Sequence, residues 1–385
     1  MVLLNRRKYF HKRRPQGAPA DLADAVVTLA SETVYYTGNP VYPSVSVTYE
    51  GAALIVNTDY TLNYSDNTEV GAATVVVTGM GEFAGQVVKT FQIVAASGGS
   101  WERINLSNLG DSVANASLRD STAYYQSNTN LSCLGIQTLP DDSIFFAAPE
   151  QGYSYIWGFD EGHAFEVGHF KSTYTSRSRV VSSYKSATLC NDGTLLYDMD
   201  NSQNATFKTI LDTPYQLATE NSRTFVGNAG LTGILPYRMQ FSSDGRKFLY
   251  RGGNDAKTLY YANLSTPWDL SSKSEHNYFD LGSLSNLPFD SMGEALAFQF
   301  SPDGKTLLFT CRDNAAQSGN RKQYLIKLSL STPYDLSTAS VHSYKHLSTG
   351  SNWWQGLAVN NDATKMLLHL WNGTERVFYE YNLTA

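Results

Sequence analysis

One phrase occurs three times in the second half of this chain and restricts its fold more than any other feature. The copies are Thr213-Pro214-Tyr215-Gln216-Leu217, Thr266-Pro267-Trp268-Asp269-Leu270 and Thr332-Pro333-Tyr334-Asp335-Leu336. Each follows an Asp-Gly turn, at Asp192-Gly193, Asp244-Gly245 and Asp303-Gly304. A unit recurring in this way predicts a repeat architecture, in which each unit buries its apolar face only against its neighbours. Such scaffolds are built first for a surface, which weighs against an enzyme. Aligned on the turn between the first two strands, the series extends to Asp141-Asp142 and Asp362-Ala363, with spacings of 51, 52, 59 and 59 residues. Four candidate strands fit in each unit; in the fourth they are residues 295–301, 306–310, 323–330 and 341–346. A four-stranded sheet at this period predicts a β-propeller.

The ends of the repeat region bear on the number of blades. The fifth unit stops at its third strand, 377–383, whereas residues 101–106 read as a lone strand with nothing before it. Pairing the two completes one sheet and closes the ring, which removes exposed edges. The expectation is five blades of about 57 residues each over residues 101–385, with six as the alternative should residues 111–126 hold another.

Composition agrees with an all-β chain. Aromatic residues make up 13% of the sequence, with 25 Tyr, and these suit half-buried pleated surfaces. No apolar run is long enough for a membrane-spanning helix, so no membrane partner is expected. Cys133, Cys190 and Cys311 are odd in number and far apart, which predicts buried thiols that act as small hydrophobes.

The net charge of −6 hides an asymmetry. The first 14 residues contain Arg6, Arg7, Lys8, Lys12, Arg13 and Arg14 and no acid; the remaining body has 23 basic and 35 acidic residues. An acidic body argues against nucleic-acid binding by the folded part. Where a secretion signal would continue with an apolar core, this chain continues with Pro15-Gln16-Gly17-Ala18-Pro19-Ala20, a linker composition. Residues 1–23 therefore read as an arm that orders on a partner. Its expected contacts are Arg6, Arg7, Lys8, Tyr9, Phe10, Lys12, Arg13 and Arg14. Interleaved with Tyr9 and Phe10, these charges suit a protein groove, and protein is the expected partner, with packaged nucleic acid the alternative.

Residues 24–96 read as a small β-sandwich. Val45, Val47 and Tyr49 alternate with Ser46 and Thr48, and Tyr60, Leu62 and Tyr64 with Thr61 and Asn63. Ala73, Val75 and Val77 run to a Gly79-Met80-Gly81 break, and Phe91 and Ile93 close the segment. Tyr36-Thr37-Gly38, Pro43, Val45, Gly51, Leu54, Asp59-Tyr60, Tyr64, Asn67, Gly71, Val75, Val77, Gly79, Gly81, Phe83, Gly85, Phe91 and Ile93 together resemble a bacterial immunoglobulin-like repeat. That resemblance implies a spacer or adhesive module without catalysis. Ser97-Gly98-Gly99-Ser100 follows as a linker.

The repeat phrases Phe300-Ser301-Pro302-Asp303-Gly304-Lys305 and Phe241-Ser242-Ser243-Asp244-Gly245-Arg246, each with its Thr-Pro-aromatic link, resemble propeller repeats of bacteriophage virion and tail-fibre-like proteins. Physically, Asp-Gly favours a tight hairpin, the proline restricts the link, and the aromatic can plug between blades.

A search for chemistry yields little. Glu294, Arg238 and Lys185 lie near the starts of innermost strands, with Asp290 upstream, but these acids are not a spaced pair from different blades. Asp160-Glu161-Gly162-His163 with Glu166 and His169 reads as an exposed outer strand, on which the two histidines would lie about 20 Å apart. No catalytic residue, metal or cofactor is expected. Trp353, Trp354 and Gln355 are candidate glycan contacts, because aromatics beside amides suit a sugar; the rival reading packs one Trp between blades and leaves the other at the rim.

The two resemblances together imply a non-enzymatic structural protein on the exterior of a bacteriophage virion, assembled in the host cytoplasm. Residues 1–23 would bind other virion proteins of the capsid or tail, with the protein present as a symmetric multimer. The propeller would decorate the capsid, take part in tail assembly or attach to a host-surface glycan. A carbohydrate-binding or glycoside-hydrolysing propeller and a bacterial surface adhesin are the alternatives.

Overall fold

The computed structural model describes residues 19–29, 32–35, 40, 42–43, 45–94, 98–112, 114–117, 136–139, 142–148, 153–159, 163–167, 170–178, 184–190, 193–200, 205–211, 217, 220–227, 236–252, 257–274, 276–314, 318–371 and 376–383. The arm residues Arg6 to Arg14 lie outside them.

Residues 19–94 form two larger sheets and a short parallel pair, Ala20–Asp21 with Phe83–Ala84. Val26–Leu29, Val45–Tyr49 and Ala52–Ala53 make one, and Thr33–Tyr35, Gln86–Val94, Gly71–Gly79 and Tyr60–Ser65, in that spatial order, make the other. Alternation decides which side chains go in. Val47, Tyr60, Ala73, Val75, Val77, Phe91 and Ile93 are buried, while Ser46, Thr61 and Asn63 face water. Leu22, Val27 and Val47 meet Tyr60 and Val77 in one core, so the two sheets pack face to face.

Five four-stranded antiparallel sheets then follow one another in a propeller-like succession. Sheet one comprises Ile136–Thr138, Ile144–Ala148, Tyr153–Phe159 and Phe170–Ser178. Sheet two comprises Tyr184–Leu189, Leu195–Asp200, Ala205–Leu211 and Glu220–Gly227, and sheet three Pro236–Phe241, Lys247–Gly252, Thr258–Asn263 and Asn277–Asp280. Sheet four comprises Met292–Phe300, Thr306–Asp313, Lys322–Leu330 and Ala339–Thr349. Sheet five comprises Trp353–Val359, Lys365–Trp371, Arg376–Asn382 and a strand from far earlier in the chain, Ala114–Ser117. The first strand of each sheet lies next to the next sheet, and that of sheet five returns to sheet one.

The strand that completes sheet five corrects the sequence reading. Residues 101–106 are not a strand: Gly98–Arg103 is a short α-helix and Leu106–Asn108 a 3-10 turn. Ala114–Ser117 pairs with the last strand instead, Ala114 opposite Glu380 and Ser117 opposite Val377. The misread segment is the link that comes before a fourth strand. In sheets three and four an Asx residue caps a 3-10 turn whose leucine is buried, at Asp269-Leu270 and Asp335-Leu336. Asn105-Leu106 repeats that geometry, with the Asn105 side chain accepting from the Ser107 amide. Trp101, Ile104 and Leu106 are buried against Leu325 of sheet four and Leu357 and Met366 of sheet five. Lys327, wholly buried, donates to the carbonyls of Glu102 and Ile104 at 2.6 and 2.8 Å, and Lys345 to that of Leu109 at 2.6 Å. Burial lowers the Lys327 ammonium to a pKa of about 8.

The repeated phrase is a lock between sheets. Trp268 and Tyr334 have positive φ, 62° and 56°, and each donates its amide to the turn glycine carbonyl of its own sheet, Gly245 or Gly304, at 2.8 Å. The ring then lies on that glycine, where a Cβ would stand inside the ring's van der Waals envelope. The Tyr334 hydroxyl donates to the Pro302 carbonyl at 2.7 Å and accepts from the Ser243 amide in the turn of sheet three at 3.2 Å. The Tyr197 hydroxyl of sheet two likewise reaches the Trp268 carbonyl at 2.6 Å.

Candidate functional site

The first strands of the five sheets surround a buried arginine. Arg238, on sheet three, is 3% exposed. Its guanidinium donates to the carbonyls of Phe298, Gln355, Ile136 and Leu357 at 3.1 to 3.2 Å. These carbonyls belong to the first strands of sheets four, five and one. One planar cation with five N–H donors therefore ties together four of the five first strands. Three glutamines at one register position reinforce the ring. Gln137 accepts from the Leu189 amide and donates to the Leu189 carbonyl, Gln240 accepts from Phe300, and Gln299 accepts from Val359, at 2.8 to 3.1 Å. Each stands four residues before its turn aspartate, Asp141, Asp244 or Asp303, and this recurrence was readable in the sequence.

A charged and aromatic cluster occupies the end of the ring where the first strands of sheets four and five begin. Glu294 has one oxygen bound by Arg251 at 3.0 Å and the other by Arg312 at 2.6 Å. All three side chains are mostly buried, between 10% and 14% exposed. The Arg312 guanidinium lies over the half-buried Trp353 ring, 4.0 Å from its centroid, and Trp353 tilts against Trp371 at 6.3 Å. Sequence reasoning found Glu294 and Trp353 but missed Arg251, Arg312 and Trp371. Each of the three sits near the end of its sheet's second strand, so the alignment on turns held the signal.

The other candidate glycan contacts divide. Trp354 is buried at 4% exposure, packs on Tyr379 and donates its indole N–H to Ser348 at 2.9 Å. It packs between sheets and is withdrawn as a glycan contact. Gln355 gives its backbone carbonyl to Arg238, and its Oε1 is a buried acceptor without a donor among the described residues. Glu294 is held between two cations, and Asp290 is exposed on the approach to sheet four.

The acid and histidine cluster is a turn, which corrects the outer-strand reading. His163 and Glu166 lie between the third and fourth strands of sheet one, with His163 Nδ1 2.8 Å from a Glu166 oxygen. The other Glu166 oxygen accepts from Lys365 of sheet five, and Glu380 accepts from the Val167 amide. The Lys365 hydrogen bond, with that of His163 second, holds the Glu166 carboxyl down at about 2. The cluster fastens sheet one to sheet five. Asp160, Glu161 and His169 lie outside the described residues, as does Cys133, while Cys190 and Cys311 are buried free thiols.

No family model matches the chain, and no curated protein matches it. Among solved structures it is similar to a luciferin-regenerating enzyme, with 7% identity over 70% of this chain and 95% of the other, and a TM-score of 0.41. It is also similar to the Cps50 (Swd1) beta-propeller domain of Myceliophteria thermophila, with 10% identity over 84% and 80% and a TM-score of 0.37. Hydrazine synthase of Kuenenia stuttgartiensis is a third, with 12% identity over 63% and 77% and a TM-score of 0.36. At this degree of overlap the resemblances say nothing about the activity of the chain.

Proposed function

We propose that the chain is a non-enzymatic structural protein of a bacteriophage particle, in which an immunoglobulin-like sandwich over residues 24–96 carries a five-bladed propeller over residues 101–385. The basic residues 1–23 dock it onto other capsid or tail proteins, and the propeller faces outward to decorate the particle, build its tail or touch the host surface. The observation that carries the binding reading is Arg238. Its guanidinium is spent on four carbonyls of neighbouring first strands, which supports a structural use of those strands over a catalytic one. The likeness of the repeat phrases to virion and tail-fibre-like propellers supports the particle assignment. A two-sheet module beside a larger all-β body suits a spacer and a displayed surface.

The test is incorporation. Purified particles from an infected culture, analysed by mass spectrometry, should contain the chain at a fixed ratio to the major capsid protein. A version lacking residues 2–14 should fold and remain free of the particles. Absence of the full-length chain from particles would refute the assignment; normal incorporation of the truncated chain would refute the arm as the anchor.

A further inference from the structure

We infer that the outward face of the four-stranded sheet in residues 19–94 is a contact between two copies of this chain. This deepens the proposed structural role and rests on it, since it names a second copy as one partner of the particle protein.

Composition of the face is the first observation. Three strands carry it: Tyr60–Ser65, Gly71–Gly79 and Gln86–Val94, with Gly71–Gly79 in the middle. Side chains alternate along them, so Val75, Val77 and Phe91 enter the core and their neighbours point outward. Every outward residue of the three strands is Thr, Ser, Asn, Gln, Ala or Val, and none is charged. Asn63, Val76 and Val88 stand in one row across the strands, with Thr74, Thr78 and Thr90 beside it. Val88 is 58% exposed. A sheet face that stays in water normally carries Lys and Glu, which hold proteins apart, and this one carries neither.

Charge around the face is the second. Residues 19–94 contain eight acids and a single base, Lys89, so pairing within the segment neutralises at most one acid. None of the eight lies in the three strands. Lys89 alternates with Val88 and Thr90 and so belongs to the other side of the sheet. Two copies therefore repel on approaches that bring their turns together, and the neutral face keeps those like charges apart.

Self-complementarity is the third. Hydroxyls and side-chain amides both donate and accept, as Gln86 already does towards Thr78 at 3.2 Å within one copy. A face of such groups matches itself under a two-fold rotation, whereas a charged partner would meet no counter-charge on it. At about 4.8 Å per strand and about 3.4 Å per residue, three strands of about eight residues give roughly 400 Å² per copy and roughly 800 Å² for the pair. Stable specific interfaces bury roughly 1,200–2,000 Å², so this contact is weak for one pair in solution. Copies held side by side on a particle strengthen it through their effective concentration.

The experiment is sedimentation equilibrium of the full-length protein over a concentration series. The parent should pass from monomer to dimer at about 10–100 μM, the range of a weak interface. Val88→Glu and Val88→Lys should each weaken pairing about tenfold or more, because either change sets two like charges against each other across the two-fold. Thermal melts of both should stay near that of the parent, since the position is exposed. Thr28→Glu, which adds the same charge to the outward side of the other sheet, should pair like the parent. Pairing should hold or strengthen as salt screens the surrounding acids. A parent that stays monomeric throughout, a loss in only one of the two Val88 variants or in neither, or an equal loss in Thr28→Glu would overturn the inference. So would pairing that disappears as salt rises, which would assign self-association to the basic residues 1–14 on the acidic body. The concentration and salt series use the parent alone, so an unfolded variant does not shelter the idea. Particle content is measured separately. A chain found in particles that stays monomeric in solution keeps the structural role and loses this contact; a chain absent from particles that pairs through Val88 keeps the contact and loses the role.

Discussion

At the scale of the residue, the repeat phrase is a matter of two neighbours that exclude any other choice. Gly304 has φ +70°, and the Tyr334 ring occupies the space its side chain would take. Gly304→Ala therefore meets backbone strain and overpacking together and should cost about 2–4 kcal/mol. Tyr334→Phe keeps the packing and loses the hydroxyl's bonds to Pro302, Ser301 and Ser243, which should cost about 1–2 kcal/mol. Urea melts of the two variants check both the size and the order of these effects. A smaller loss for the glycine variant would mean that the ring does not depend on that contact. Burial pushes the Tyr334 hydroxyl up to about 12, so it stays a donor at any ordinary pH.

At the scale of the element, the Lys327 strap and the Glu166 turn both make stability rise with pH, in two separate windows. Glu166 is depressed to about 2 in the fold, so its stabilisation is full above the ordinary carboxylate range and is lost as pH falls from about 4.5 towards 2. Glu166→Gln should flatten the acid side of the stability curve, with Lys365 left to Glu380. Lys327, lowered to about 8, binds a proton less readily in the fold than in the open chain. Stability should then rise with pH between about 8 and 10.5, and Lys327→Met should remove that rise. Chemical melts at stepped pH read both, and a parent curve that falls between pH 8 and 9.5 would contradict the Lys327 reading. Much at this scale was legible. The third and fourth strands of sheet four, expected at 323–330 and 341–346, are Lys322–Leu330 and Ala339–Thr349, because turn chemistry and alternation mark them locally. Ala114–Ser117 was not legible: its alternation is only four residues long and carried by alanine, and only the distant partner strand makes it a strand. Residues 101–106 misled because a run with Trp101, Ile104 and Leu106 shows the same apolar spacing whether it pairs or merely plugs a groove between sheets.

At the scale of the whole molecule, cohesion depends on few long-range contacts, and Arg238 holds several of them. Arg238→Ala leaves four inward carbonyls without donors and should cost about 3–5 kcal/mol, more than a typical surface change. Millimolar guanidinium should restore part of the lost melting temperature in that variant and none in the parent, because the cation would refill the vacated site by mass action. Equal effects on both would refute the role of Arg238 as the tie between first strands. The candidate site shows the same limit on reading from sequence. Arg251, Arg312 and Trp353 come from three sheets, and nothing in the local sequence announces that they share one carboxylate or one ring face.

The early strand that completes sheet five also sets a timetable for the cell. Ala114–Ser117 leaves the ribosome about 260 residues before its partner Arg376–Asn382, which at typical synthesis rates is a wait of roughly 13–50 seconds. During that time the four earlier sheets can form as they emerge, but sheet five stays unjoined, with unpaired edges on Ala114–Ser117 and Lys365–Trp371. Ribosome-bound chains stalled just short of residue 376 should therefore be cut readily by protease, and chaperones that shield open β edges should matter most in that interval.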